Sequence, residues 1–165
     1  MSVYLVDTNF FIQAHRATYP LDVAKSFWEK LSKLALEGKI ISIDRVKHEI
    51  YENEDDLKDW CIDNLPNNFF KSTRSIASEY GKAVEWAMSR NDHYTQAALA
   101  EFMDDRNADA WLVSYALAHT GLIIVTQEKS EPAIKRKIKI PEACAPFDIK
   151  YLNTVGMFRE LGESF

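Results

Sequence analysis

The sequence predicts an α/β domain, three layers deep, with a largely parallel central sheet between helices. Three observations carry that expectation. Short apolar runs recur at Val3–Val6, Ile40–Ile43 and Leu122–Val125. Little polar alternation interrupts them, as expected of strands buried on both faces. Stretches with helical apolar spacing separate them, the pattern that winds strands in parallel.

The first run ends abruptly in Asp7-Thr8-Asn9. A helix from Asn9 to about Arg16 should follow, capped by Thr8 or Asn9. After a break at Tyr19-Pro20, residues Val23, Ala24, Phe27, Trp28, Leu31, Leu34 and Ala35 predict a helix over 21–37, with Gly38 beyond its end. Past the second strand, Asp44 can cap a helix whose Val46 and Ile50 face inward. Leu57, Trp60 and Cys61 mark another, ending near Pro66. The stretch 66–103 reads as a helical insertion within a single domain of residues 1–165. Its first helix carries Ile76, Tyr80, Ala83, Val84, Ala87 and Met88, and its second Ala97, Ala98, Leu99, Phe102 and Met103. A helix over 108–119 leads through Gly121 into the third strand. Ile138 and Ile140 alternate as an edge strand would over 135–140. A closing helix over 152–161 turns Val155, Phe158 and Leu161 inward.

Composition narrows the functional classes. A hydrophobic share of 47% is that of a globular chain. The opening lacks the positive region of a signal peptide, and no run approaches the roughly 18 apolar residues of a membrane span. Cys61 and Cys144 have no metal-ligand spacing and read as buried free thiols of a cytoplasmic protein. The net charge of -5 disfavours non-specific attraction to nucleic acid. Binding RNA would need a local basic patch or a metal.

Four acids share one expected location. Asp7 follows the first strand, and Glu49 lies about one helical turn beyond the second. Asp109 opens the helix leading into the third strand, and Glu128 lies just past that strand. All four fall at the carboxyl edge of a doubly wound sheet, where such folds keep their ligands. Converging carboxylates repel unless a hard dication such as Mg²⁺ or Mn²⁺ joins them. Each has a plainer reading as well: Asp7 as a helix cap, Asp109 as a dipole partner, Glu49 and Glu128 as solvated surface. His15, His48, His93 and His119 have no spacing for a metal or relay.

These residues resemble the motifs of PIN-domain ribonucleases, the VapC-like (PilT N-terminus) family. Val3-Tyr4-Leu5-Val6-Asp7-Thr8-Asn9 resembles the first motif, a strand ending in Asp-x-Asn. Val46-Lys47-His48-Glu49-Ile50 fits the second, and Asp109 with its small-residue helix the third. Leu122 to Glu128 resembles the strand and Thr-x-acid that follow, with Glu where an Asp is more usual. The resemblance implies a PIN-like fold and an endoribonuclease that depends on Mg²⁺ or Mn²⁺ and cuts single-stranded RNA. Such enzymes are often the toxin of a type II toxin–antitoxin pair, so a cognate antitoxin is an implied partner. Asp7, Glu49, Asp109 and Glu128 would be the catalytic, metal-binding acids, with Asn9 and Thr126 orienting them by hydrogen bonds. The implied chemistry is in-line attack of water on a phosphodiester, leaving 5′-phosphate and 3′-hydroxyl ends.

A non-catalytic PIN-like module binding RNA or protein is the alternative. A haloacid-dehalogenase-type phosphatase would want Asp-x-Asp where this chain has Asp7-Thr8-Asn9, and a receiver domain carries its acceptor Asp after a later strand. Lys129, Lys135, Arg136, Lys137 and Lys139 could neutralise RNA phosphates, or could simply guard an edge strand against aggregation. Trp28, Trp60, Trp86 and Trp111 read as core, with a homodimer interface as their other use.

Overall fold

The structure, a computed structural model, describes residues 2–165. Its centre is β1 (Val3–Val6), flanked by β2 (Ile40–Ile43) on one side and β4 (Leu122–Val125) on the other. Two short strands, β3 (Phe70–Lys71) and β5 (Tyr151–Leu152), complete the order β3-β2-β1-β4-β5. Every pairing is parallel, with Tyr4 opposite Ile40 and Val6 opposite Val125. Helices cover the sheet to make a three-layer α/β/α fold. The chain leaves β1 toward β2 and later returns to β1's other side. The crevice between β1 and β4 is therefore the topological switch point.

Asp7 lies just beyond β1 at that point. Its carboxylate accepts the Phe10 N–H at 2.7 Å and so caps α1 (Thr8–Gln13), the task expected of Thr8 or Asn9. A π-helical turn, Ala14–Thr18, continues α1. Helix α2 (Lys25–Leu36) starts later than its apolar pattern suggests, because Pro20 to Ala24 form a turn. Val23 is consequently exposed, while Phe27, Trp28, Leu31 and Leu34 are buried. Helix α3 (Asp44–Tyr51) buries Val46 and Ile50 as expected. Asp44 does not cap it; its carboxylate accepts from the N–H and hydroxyl of Thr73, at 3.0 and 2.8 Å.

Helix α4 (Asp56–Asn64) precedes β3, which takes the start of the 66–103 stretch into the sheet. Helices α5 (Ala77–Ser89) and α6 (Gln96–Met103) follow. Met88 is exposed. Helix α7 (Ala108–Ala118) packs between α5 and β4 and is buried almost all round, including Trp111 and Tyr115.

No strand forms over 135–140, because β5 already pairs with the free side of β4. The segment is a loop running into the short helix α8 (Ile140–Cys144), and Ile138 and Ile140 are both buried as its anchors. Helix α9 (Thr154–Leu161) closes the fold, with Met157 and Phe158 inward and Val155 exposed. Cys61 and Cys144 are buried free thiols, each pushed up to about 12 by burial. Among the described residues, no helix is long and apolar enough to cross a membrane.

Candidate active site

Beyond the carboxyl edge of the sheet, Glu49 on α3 and Glu128 after β4 lie within electrostatic reach of both Asp7 and Asp109. Asp7 is fully buried, and its backbone N–H extends the sheet by donating to the Val125 carbonyl at 3.2 Å. Burial pushes its carboxyl up to about 7, against the pull of the Thr126 hydroxyl and the Phe10 N–H. Glu128 and Glu49 push in the same direction as burial. Asp109 sits in the first turn of α7, where the Asn107 side chain accepts its N–H at 2.9 Å. Burial raises its carboxyl to about 8, helped by Glu128, Asp7 and Glu49 and opposed by Lys137.

The two glutamates are engaged elsewhere. Glu49, half-buried on α3, accepts from the Thr8 hydroxyl and from the Ala108 N–H, the latter at 3.3 Å. It thereby joins the start of α1 to the start of α7. Glu128 accepts the Ile140 N–H at 3.1 Å through one oxygen and meets the Lys137 ammonium at 3.2 Å through the other. Its own N–H donates to the Thr126 hydroxyl at 3.2 Å, fixing the turn after β4. Asn9 is exposed and makes no side-chain hydrogen bond among the described residues. The bond to an acid expected of Asn9 is supplied by its neighbour Thr8. The sequence signal for Thr8 in this role is its hydroxyl directly after the acid Asp7.

As the side chains stand, no group of three His, Cys, Asp or Glu among the described residues could hold a metal ion. The chemistry of the acids nonetheless suits a hard cation. They offer only oxygen donors, and two buried carboxyls are held near neutral pH by the cost of charging them. A dication would lower that cost. Asp7 and Asp109 are the two of these acids that burial raises.

A stack of side chains braces the acids from behind. The Arg45 guanidinium lies 4.4 Å from the centre of the Trp111 ring, and Tyr80 stacks on that ring at 3.9 Å. Arg45 and the Trp111 indole N–H both donate to the Asp105 carbonyl. This stack ties α3, which carries Glu49, to α7, which carries Asp109. Arg45→Ala should destabilise the fold by about 1–2 kcal/mol, the sum of a cation–π contact and a hydrogen bond. A lower urea midpoint with an unchanged m-value would check this.

Of the five basic residues, Lys129, Lys135 and Arg136 are exposed. Lys137 pairs with Glu128, and Lys139 with Glu131. The loop nature of 135–139 removes the edge-strand explanation for these charges.

No curated protein and no solved structure matches the chain. A family model described as "Domain of unknown function (DUF4411)" matches residues 4–165. That match spans the sheet, the acids and the closing helix alike, and the chain belongs to the DUF4411 family.

Proposed function

We propose that this chain is a Mg²⁺- or Mn²⁺-dependent endoribonuclease acting on single-stranded RNA, of the PIN-like kind and suited to the toxin role in a type II toxin–antitoxin pair. The observation that carries the reading is the pair Asp7 and Asp109. Both are carboxyls at the switch point of a parallel sheet, and each is raised by burial and by the other acids. Structural acids are normally neutralised by a cation or fully hydrogen-bonded; strongly perturbed pairs cluster where chemistry is done. The resemblance of Asp7-Thr8-Asn9, Glu49, Asp109 and Thr126-Gln127-Glu128 to the PIN motifs, in order along the chain, supports the same reading.

Asp7 and Asp109 would hold the ion, with Glu49 and Glu128 beside them. When bound, the ion would supply Lewis-acid charge that acidifies water and offsets charge on the phosphodiester. The chain's own residues do the rest. Thr8 and the Ala108 N–H orient Glu49, Thr126 steadies Asp7 and the Glu128 turn, and the β1 backbone keeps Asp7 dry. The acids are the groups here that can take up the proton of an attacking water. Incubating the protein with single-stranded RNA and Mn²⁺ tests the reading. Cleavage to 5′-phosphate ends, abolished by EDTA, is expected; cyclic phosphate products or cutting in EDTA would refute it.

The alternative, a non-catalytic module that binds RNA or protein, draws on one observation: Glu49 and Glu128 are already occupied by hydrogen bonds. Substrate binding itself would draw on Lys135 and Arg136, exposed on the loop after β4. Reversing both charges to Glu should weaken RNA binding and flatten its salt dependence by about 1.4 in log–log slope, about 0.7 for each lost contact to a single strand. An unchanged slope would locate the RNA elsewhere.

A further inference from the structure

The turn joining α5 to α6, residues 90–95, reaches across to the basic loop that follows β4. The His93 ring Nε2 lies 3.1 Å from the Ile134 carbonyl. A carbonyl only accepts, so this ring nitrogen carries the proton. Two residues further on, the Thr95 N–H donates to the Lys135 carbonyl at 3.0 Å. These bonds fall on consecutive residues of the loop, just where Lys135 and Arg136 stand exposed. Nearer β4, Ser130 and the Glu131 N–H both bond to Glu142, at 2.7 and 3.1 Å. The loop is therefore held at both ends, and the helical stretch between β3 and α7 supplies one of the two holds.

The same turn brings a cation of its own. The Arg90 guanidinium lies 5.4 Å from the centre of the buried Tyr94 ring. A guanidinium resting on an aromatic face is already ordered, so it loses less freedom on taking a phosphate than a loose lysine does. Residues 90–95 and 129–139 together carry six lysines and arginines against two acids, in a chain whose net charge is -5. Lys137 and Lys139 are engaged with Glu128 and Glu131. Arg90, Lys129, Lys135 and Arg136 form no ion pair among the described residues, and Asp92 is the acid of these segments left unpaired. Tyr94 and Ile138 are buried and Ile134 is half-buried, so the surface offers charge and little apolar area. That suits a polyphosphate chain better than the apolar core of a protein interface.

We propose that the α5–α6 turn is part of the RNA-binding surface, with Arg90 taking a phosphate of the single strand beside those held by Lys135 and Arg136. The inference rests on the reading of this chain as a ribonuclease. It gives the helical stretch a task in substrate binding and carries the RNA from the Glu128 end of the loop toward α5.

Binding of a fluorescent single-stranded RNA to the full chain, followed by anisotropy in EDTA to prevent metal-dependent cleavage, tests it. Arg90→Gln should bind about fivefold more weakly at about 0.1 M salt and lower the log–log salt slope by about 0.7, the value of one lost single-strand phosphate contact. Arg90→Lys keeps the charge and should keep the slope. A loss in Arg90→Lys as large as in Arg90→Gln would trace the effect to packing on Tyr94 and overturn the assignment. Arg159→Gln removes an equal charge on α9 and should leave the slope unchanged; an equal fall there would reduce Arg90 to a share of overall charge. RNA binding that Arg90→Gln leaves unaltered would overturn this inference while the nuclease reading stands, whereas a wild type that binds no RNA would end both. Displacement of the RNA by poly-glutamate of equal charge would give the surface to an acidic protein segment and likewise overturn it.

Discussion

Asp7→Asn is expected to slow Mn²⁺-dependent RNA cleavage by at least about a hundredfold, a loss of about 2.7 kcal/mol in transition-state stabilisation. That is modest beside the several kcal/mol that Lewis-acid charge contributes to phosphodiester chemistry. The substitution keeps the size of the side chain. Its amide oxygen can still accept the Phe10 N–H, so the cap of α1 survives and the fold should be retained. What disappears is the negative charge at the switch point. The measurement is initial cleavage rate on a single-stranded RNA at saturating Mn²⁺, with circular dichroism recorded on both proteins. Equal rates in variant and wild type would leave Asp7 a helix cap and return the chain to the binding-module reading. Asp109→Asn should act in the same direction, since that carboxyl is the other one raised by burial at the same edge.

The second large effect concerns stability without metal. Asp7 and Asp109 ordinarily titrate at 3.8 but are raised to about 7 and about 8 in the fold. Between those limits the folded state binds more protons than the unfolded one, so stability falls as pH rises. The contribution of the pair is fully present below about pH 4 and is lost as pH climbs through 7 and 8. Each pKa unit corresponds to about 1.4 kcal/mol, so the climb from pH 5.5 through the two raised values costs the fold on the order of 5 kcal/mol. Urea midpoints in EDTA should therefore drop between pH 5.5 and pH 9. Asp7→Asn should flatten that drop and stabilise the protein at pH 9, although the same substitution is expected to slow cleavage. Adding Mn²⁺ at pH 9 should restore stability to wild type, because a ligand that binds only the folded state stabilises it. A midpoint that rose with pH would contradict the burial of these carboxyls.

Opposite signs for activity and stability in one substitution separate a functional acid from a structural one. A helix cap that mattered only for folding would lose stability on substitution and gain nothing at high pH. A buried acid kept for its chemistry is a cost to the metal-free fold. Asp7 combines both features, since it caps α1 and is also held away from water.

The three long strands and the helices between them were legible because burial on both faces leaves an apolar run, and burial on one face leaves a period of 3.6 residues. The same logic identified the four acids, since the carboxyl edge of a parallel sheet follows from strand order alone. Two-residue strands leave no period to read, so β3 and β5 were invisible, and with β5 missing the slot beside β4 was assigned to residues 135–140. The alternation of Ile138 and Ile140 was real, but it reports two anchors of a loop.

By itself, then, the sequence determined that this chain folds as a parallel α/β domain and gathers acids at one edge of its sheet. Only tertiary structure decided which of those acids are left uncompensated. Local pattern records whether a side chain faces core or solvent, whereas the partners of Glu49 and Glu128 come from residues 8, 108, 137 and 140. The charge of a site depends on such pairings, because attraction between unlike charges is set by distance in space and is indifferent to separation along the chain.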